Sequence, residues 1–203
     1  MTATTRDKMI AGAADLMSRH GVNATSMRDV VRHTATPRGS ISHHFPDGKR
    51  QLIAEAVIFA GKQVSIPLER AMNERGVIGG LAAFVASWRR RLEATGFAAG
   101  CPVLAVAVDR YVGEPGDKHD AAAQQHLLDL ADSVFADWQQ IMHAALLREG
   151  LAADRAARLA TLVVASIEGT VAMCRASRSA DALDQVQEEL ETILSAALAH
   201  TTK

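Results

Sequence analysis

Cysteine, aromatic residues and proline are all scarce in this sequence, and each scarcity removes a class of fold or chemistry. Two cysteines among 203 residues, Cys101 and Cys174, are too few and too far apart for a disulfide framework or a paired-thiolate metal site. Aromatic content is 4%, and apolar and polar residues hardly alternate anywhere, which leaves little material for a β-sheet. No run of eighteen uncharged apolar residues is present, and charges interrupt "MTATTRDKMIAG" where a signal peptide needs its apolar region. The expected location is the cytoplasm, with no membrane association. Gly-x-Ser-x-Gly, a phosphate loop and a histidine pair at metal spacing are also missing, so neither enzymatic activity nor a cofactor or metal is expected. His43 and His44 are adjacent and diverge around a helix, which spoils them as joint ligands.

What is present is an uneven distribution of charge. The formal net charge is −1, yet the first fifty residues carry eight cations against four carboxylates, a balance of +4, and four histidines besides; the remainder carries −5. A small basic front joined to an acidic body is the distribution of a module that meets nucleic acid attached to one that does not.

Helical spacing dominates the chain. Ile10, Ala13, Ala14 and Met17 form one stripe, stopped by Gly21. Ser26-Met-Arg-Asp29 has the hydroxyl-x-x-acid pattern of a capping box opening a second short helix with Met27, Val30 and Val31 inward. Thr36-Pro37 supplies an N-cap and a first-turn proline for a third helix of about two turns ending at His44. Phe45-Pro46-Asp47-Gly48 breaks it, and a fourth helix begins near Lys49 and ends around Pro67 or somewhat later. Beyond "RGVIGG" the spacing predicts helices over roughly 81–94, 101–112, 120–149, 154–177 and 182–200, separated by punctuation at Gly96, Gly100, Gly113 to Gly116 and Gly150. A strand competes over Pro102–Val108, but no second strand is available to pair with it. The expected fold is all-α with about nine helices: a helix-turn-helix module over 1–50 and a larger domain over 51–203, linked by a helix from about 49 to 72.

Two short helices across the tight turn at Thr34-Ala35-Thr36 form a helix-turn-helix, with the later helix in the major groove. Arg38, at the start of that helix, has the fork that meets a guanine edge with two parallel hydrogen bonds. Thr25, Ser26, Ser40, Ser42, His43, His44 and Lys49 are donor types that grip phosphate oxygens, and Arg28, Thr36 and Pro37 complete the candidate DNA-facing set.

"GVNATSMRDVV" followed by "RGSISHHFPDGKRQL" resembles the N-terminal signature of the tetracycline-repressor (TetR) family over about residues 5 to 55. The family usually carries glycine where Ala35 stands and tyrosine where Ser42 stands; an alanine in the turn requires a negative backbone torsion to sit without strain. "GCPV" before a short helix resembles, more loosely, the branch of regulators of multidrug-resistance and flavonoid-responsive genes.

Apolar residues at alternating spacings of three and four, Leu183, Val186, Leu190, Ile193 and Ala197, run along the last helix, and Leu159, Leu162, Val163, Ile167 and Val171 along the one before. The resemblance implies that these two helices pair with their copies as a homodimer interface; the alternative is that both stripes pack within one chain. Trp88, Leu92, Leu104, Val108, Tyr111, Phe135, Trp138 and Met142 gather large aromatics and a pliable methionine, and the resemblance implies an effector site inside the helical body. Cys101, between Gly100 and Pro102 at a helix start, joins this set as a ligand contact or a redox or electrophile sensor. The expected function is a regulator that represses from a palindromic operator and is released by a small apolar or aromatic effector. A constitutive repressor, an activator and a small helical enzyme are the rivals.

Overall fold

The computed structural model describes residues 3–113 and 120–199, which leaves His200 and residues 114–116 of the expected punctuation outside the described residues. Among the described residues are eight α-helices, one short 3-10 turn and no strand: α1 Thr5–His20, α2 Met27–Thr34, the 3-10 turn Arg38–Ser40, α3 Ile41–His44, α4 Gly48–Ala94, α5 Pro102–Val108, α6 Asp120–Arg148, α7 Ala153–Ser177 and α8 Asp181–Ala199. They form two compact units that do not follow chain order. One comprises Met1–Lys62 with Cys101–Val134, the other Gln63–Gly100 with Phe135–Lys203.

In the first unit α1 is the platform. Thr4 opens it with a capping box, its hydroxyl accepting from the Asp7 N–H at 3.1 Å while the Asp7 carboxylate accepts from the Thr4 N–H at 3.0 Å. Met9, Ala13 and Met17 are fully buried, and α2, α3 and α5 all pack against this helix. Each fully buried methionine or leucine is worth about 1.5–3 kcal/mol, against about 0–1 for a surface ion pair, so apolar packing rather than the Arg19–Asp15 pair at 2.9 Å holds the platform. Arg6 adds a tie between α1 and the start of α4: its guanidinium bonds Glu55 at 2.6 Å and stands 5.2 Å from the centre of the Phe45 ring.

α2 begins as the sequence predicts. The Ser26 hydroxyl accepts from the Asp29 N–H at 3.1 Å and donates to the Asp29 carboxylate at 2.6 Å, which holds that carboxyl below its usual range. The turn after α2 differs from expectation twice. Ala35 adopts φ 51°, ψ 35°, a left-handed conformation rather than the negative torsion expected of alanine there, because its N–H is needed to close the end of α2 on Arg32 and Val31. Thr36 does not cap the next helix, since its hydroxyl pairs with that of Thr34 at 2.9 Å; Pro37 is the last extended residue, and the chain turns through 3-10 geometry at Arg38–Ser40 into α3.

α4 runs through Pro67 without ending. It breaks at Gly76, whose φ of 68° is open to glycine, and resumes at once, not near Leu81. Glu149 fixes the break by accepting the Val77 N–H at 2.6 Å, as an N-cap acceptor would, and a Cβ on Gly76 would stand 2.8 Å from that carboxylate oxygen. α5 ends at Val108 instead of reaching Val112, because Asp109 turns extended (φ −87°, ψ 147°). The core of the second unit includes Leu68, Leu81, Trp88, Leu92, Trp138, Met142 and Leu146, with α7 packed on α8. α7 is long and apolar enough to cross a membrane by length and composition, but half of its most apolar window is buried in the unit, which is the mark of a core helix.

A left-handed alanine costs about 1–2 kcal/mol relative to glycine, part of which is cancelled because glycine has more freedom in the unfolded chain. Ala35→Gly is therefore expected to stabilise the protein by about 0.5–1 kcal/mol and raise Tm by about 1–4 °C in a thermal melt. An unchanged or lower Tm would show that the turn is not strained.

Candidate nucleic-acid interface

The face built by α2, the turn and α3 is exposed and cationic. Arg28, Pro37, Arg38, Ser42 and His43 are exposed, with Ser26, Thr36, Ser40 and His44 half-buried. Between α2 and the 3-10 turn lies a cleft of about 570 Å³ lined by Met27, Arg28, Val31, Arg32, Ala35, Thr36, Arg38 and Ile41. Three arginines thus line one concavity. Sequence reasoning missed Arg32, whose side chain is 75% exposed although it pairs with Asp29 at 2.5 Å. The signal was present in its spacing of four from Arg28, which puts both on one helix face.

Several of the candidate hydroxyls already have local partners. Ser26 caps α2, and Ser40 donates to the Pro37 carbonyl at 2.7 Å. Half-buried hydroxyls of this kind still have a lone pair or a rotamer to offer a phosphate.

Two expected phosphate donors are turned inward instead. Thr25 is 1% exposed and donates to the Gly21 carbonyl at 2.9 Å, closing the loop before α2. Lys49 is 5% exposed; its ammonium donates to the Val112 carbonyl at 3.2 Å and the Asn23 carbonyl at 3.5 Å, and stands 5.5 Å from the centre of the Tyr111 ring. A buried ammonium needs such partners to offset its lost hydration, and the carbonyls and the ring face provide them. The lysine is a cross-link within the first unit in this structure. Sequence spacing places it correctly at the start of α4 but says nothing of the loop after α5 that covers it.

The residues singled out for an effector divide between the units. Trp88, Leu92, Phe135, Trp138 and Met142 belong to the second, where all but Phe135 are fully or almost fully buried, and the Phe135 and Trp138 rings meet edge to face at 5.5 Å. The Trp88 ring carries the Arg91 guanidinium 5.0 Å from its centre. Cys101, Leu104, Val108 and Tyr111 belong to the first unit. Cys101 is buried, its sulfur accepting from the Leu104 N–H at 3.4 Å as the N-cap of α5, and Val108 is 72% exposed. The other cysteine, Cys174, is fully buried on α7, and burial pushes its thiol pKa up.

The two expected pairing stripes also separate. Leu159, Val163, Ile167, Val171, Leu183 and Leu190 are buried within the unit, whereas Leu162 is exposed and Val186, Ile193 and Ala197 are half-buried. Along α7, Leu162 is followed on the open side by Ala165, Gly169, Ala172 and Met173, all exposed. Those small residues and the 60% exposed Met173 form a shallow apolar strip distinct from the core stripe.

Residues 9–56 match the family model described as bacterial regulatory proteins, tetR family, and residues 78–189 match that of the C-terminal domain of LmrA/YxaF-like transcriptional regulators. An HTH-type transcriptional regulator of Mycobacterium tuberculosis (strain H37Rv) is 35% identical over 193 residues, covering 95% of each chain. The HTH-type transcriptional regulator YxaF of Bacillus subtilis is 26% identical, covering 93% of this chain and 94% of that one. Among solved structures, a TetR transcriptional regulator from Legionella pneumophila superposes with TM-score 0.80 at 17% identity, over 95% of this chain and 98% of that one. At that identity the likeness concerns the fold.

Proposed function

Because the chain belongs to the TetR family of bacterial transcriptional regulators, we propose that it is a repressor whose two copies hold a palindromic operator and are released by a small apolar or aromatic effector. The observation that carries the DNA-reading part is the convergence of Arg28, Arg32 and Arg38 on one open cleft beside the recognition segment. Arg38 reads a guanine edge; Arg28, Arg32, Ser40, Ser42, His43 and His44 grip phosphates on either side. Lys49, turned inward, is left out of that set. The protein works in the cytoplasm, where the operator is.

Pairing is assigned to the strip of Leu162, Ala165, Gly169, Ala172 and Met173 on α7, with Val186, Ile193 and Ala197 of α8 beside it. Small residues at spacings of three and four let a second helix approach closely, and the larger ones at either end exclude water. A dimer also suits the short recognition segment, since two half-sites multiply a modest specificity. The effector is assigned to the α5 residues Leu104 and Val108 of the first unit; the aromatic cluster of Trp88, Phe135 and Trp138 is a separate candidate lining within the second.

Three outcomes are expected. With a duplex obtained by selection from random oligonucleotides, log affinity should fall linearly with log salt, and Arg38→Ala should relax base preference at one position per half-site at a cost of about 1–3 kcal/mol; a salt-independent affinity or an intact preference would remove the assignment. Leu162→Glu combined with Met173→Glu should convert a dimer into a folded monomer by light scattering coupled to gel filtration, and a persistent dimer would mean the strip is not the interface. Thermal-shift screening with small aromatic compounds should find one that raises Tm and weakens operator binding, because a ligand of the folded state stabilises it by mass action; stabilising compounds that leave operator affinity untouched would argue for a constitutive repressor.

A further inference from the structure

Within the first unit, the corner between α1 and α2 is held to the segment after α5 by hydrogen bonds that sequence spacing does not suggest. Asp109 accepts the Val22 N–H at 2.9 Å. Asn23 uses both ends of its amide: its nitrogen donates to the Arg110 carbonyl at 2.5 Å and its oxygen accepts the Val112 N–H at 2.9 Å. Lys49, from the start of α4, bonds carbonyls on both sides of the junction, those of Asn23 and Val112. Gln124 of α6 braces the far side, taking the Tyr111 N–H and donating to the Asp109 carbonyl at 3.5 Å.

The corner is shaped for this contact. Gly21 has φ 82°, and a Cβ there would stand 2.4 Å from the Asp109 carboxylate, so a side chain would be strained and would displace the acceptor. Four residues later the Thr25 hydroxyl returns to the Gly21 carbonyl, and Ser26 caps α2. The bonds therefore end at the base of the helix that carries the cleft. On the other side they begin one residue after α5, which holds Leu104 and Val108 and packs against α1.

We propose that Asn23 and Asp109 are positioning residues that form a releasable latch between α5 and the DNA-reading helices, so that a shift of α5 moves α2 and the recognition segment through the α1–α2 corner. The latch rests on the DNA-reading function proposed above and on the placing of the effector against α5; it adds the route between them. Its chemistry suits a switch. Asn23 and Arg110 are exposed, so water competes for their bonds and the latch opens far more readily than the buried α1 core beneath it. The bonds join two segments each set in one geometry, so breaking them frees the corner as a unit.

Coupling between two sites is reciprocal, which makes the latch testable with DNA alone. Hydrogen exchange is followed by mass spectrometry on the full chain, with and without a duplex selected against the wild-type protein. Binding is expected to slow exchange in peptides covering residues 38–44 and also, by about fivefold or more, in those covering 109–112, which lie outside the reading face. Asn23→Ala and Asp109→Ala should abolish the second protection and weaken the operator about tenfold without altering base preference, in contrast to Arg38→Ala; Asp109→Asn keeps an acceptor for Val22 and should restore most of the coupling. Protection confined to 38–44 in the wild type, or Asn23→Ala with undiminished operator affinity, would overturn the latch alone. Failure to select any duplex with a folded protein would overturn the DNA-reading function and the latch together.

Discussion

The geometry of the helix-turn-helix face depends on α1, because its second segment cannot be helical unaided. Arg38–Ser40 and Ile41–His44 make seven residues between them, well below the length at which a peptide helix persists in water. Ile41 and Phe45 anchor the segment by burying against the unit, and Met9, Ala13 and Met17 supply the apolar floor. Arg38, Ser42 and His43 are thereby left exposed on its outer edge. The orientation of this face is therefore set by packing within the unit rather than by the exposed residues themselves.

That dependence explains which features were legible in the sequence. Caps and stripes involve neighbours within four residues, so Ser26–Asp29, the α1 stripe and the long C-terminal helices could be read directly. The end of α5 could not. Nothing local stops a helix at Val108; what stops it is competition from Val22 and Asn23, some 87 to 89 residues away, for the Asp109 carboxylate and for the backbone of Arg110 and Val112. The same distance hides the fate of Lys49. A lysine at a helix start beside a basic surface reads as a phosphate ligand until a loop from elsewhere in the chain closes over it.

The C-terminal helices illustrate a different limit. Apolar residues at spacings of three and four mark a buried stripe but do not say what buries it. On α7 the stripe from Leu159 through Val163, Ile167 and Val171 and the strip from Leu162 through Gly169 to Met173 lie about one residue apart around the helix, and a pattern search merges them. Burial separates them: the first is closed within the unit and the second is open. Residue size carried the distinction all along, since branched chains fill the inner stripe while alanine and glycine dominate the outer one. A core prefers volume, whereas small residues on an open helix face leave room for close approach.

The division of strength within the first unit is itself a functional argument. Its core is apolar, continuous and expensive to open, at about 1.5–3 kcal/mol for each large side chain exposed. Its connection to α5 combines packing on α1 with a short run of polar bonds, several of them within reach of water, where each is worth only about 0.5–1.5 kcal/mol net. The proposed latch requires a recognition unit that stays folded in both states and a junction that does not stay fixed. Had the Asp109–Val112 segment been joined by leucines and valines, any change in α5 would have had to break the core or go unfelt. Joined by Asn23, Asp109 and the carbonyls that Lys49 bridges, the corner can yield while the helices on either side remain intact.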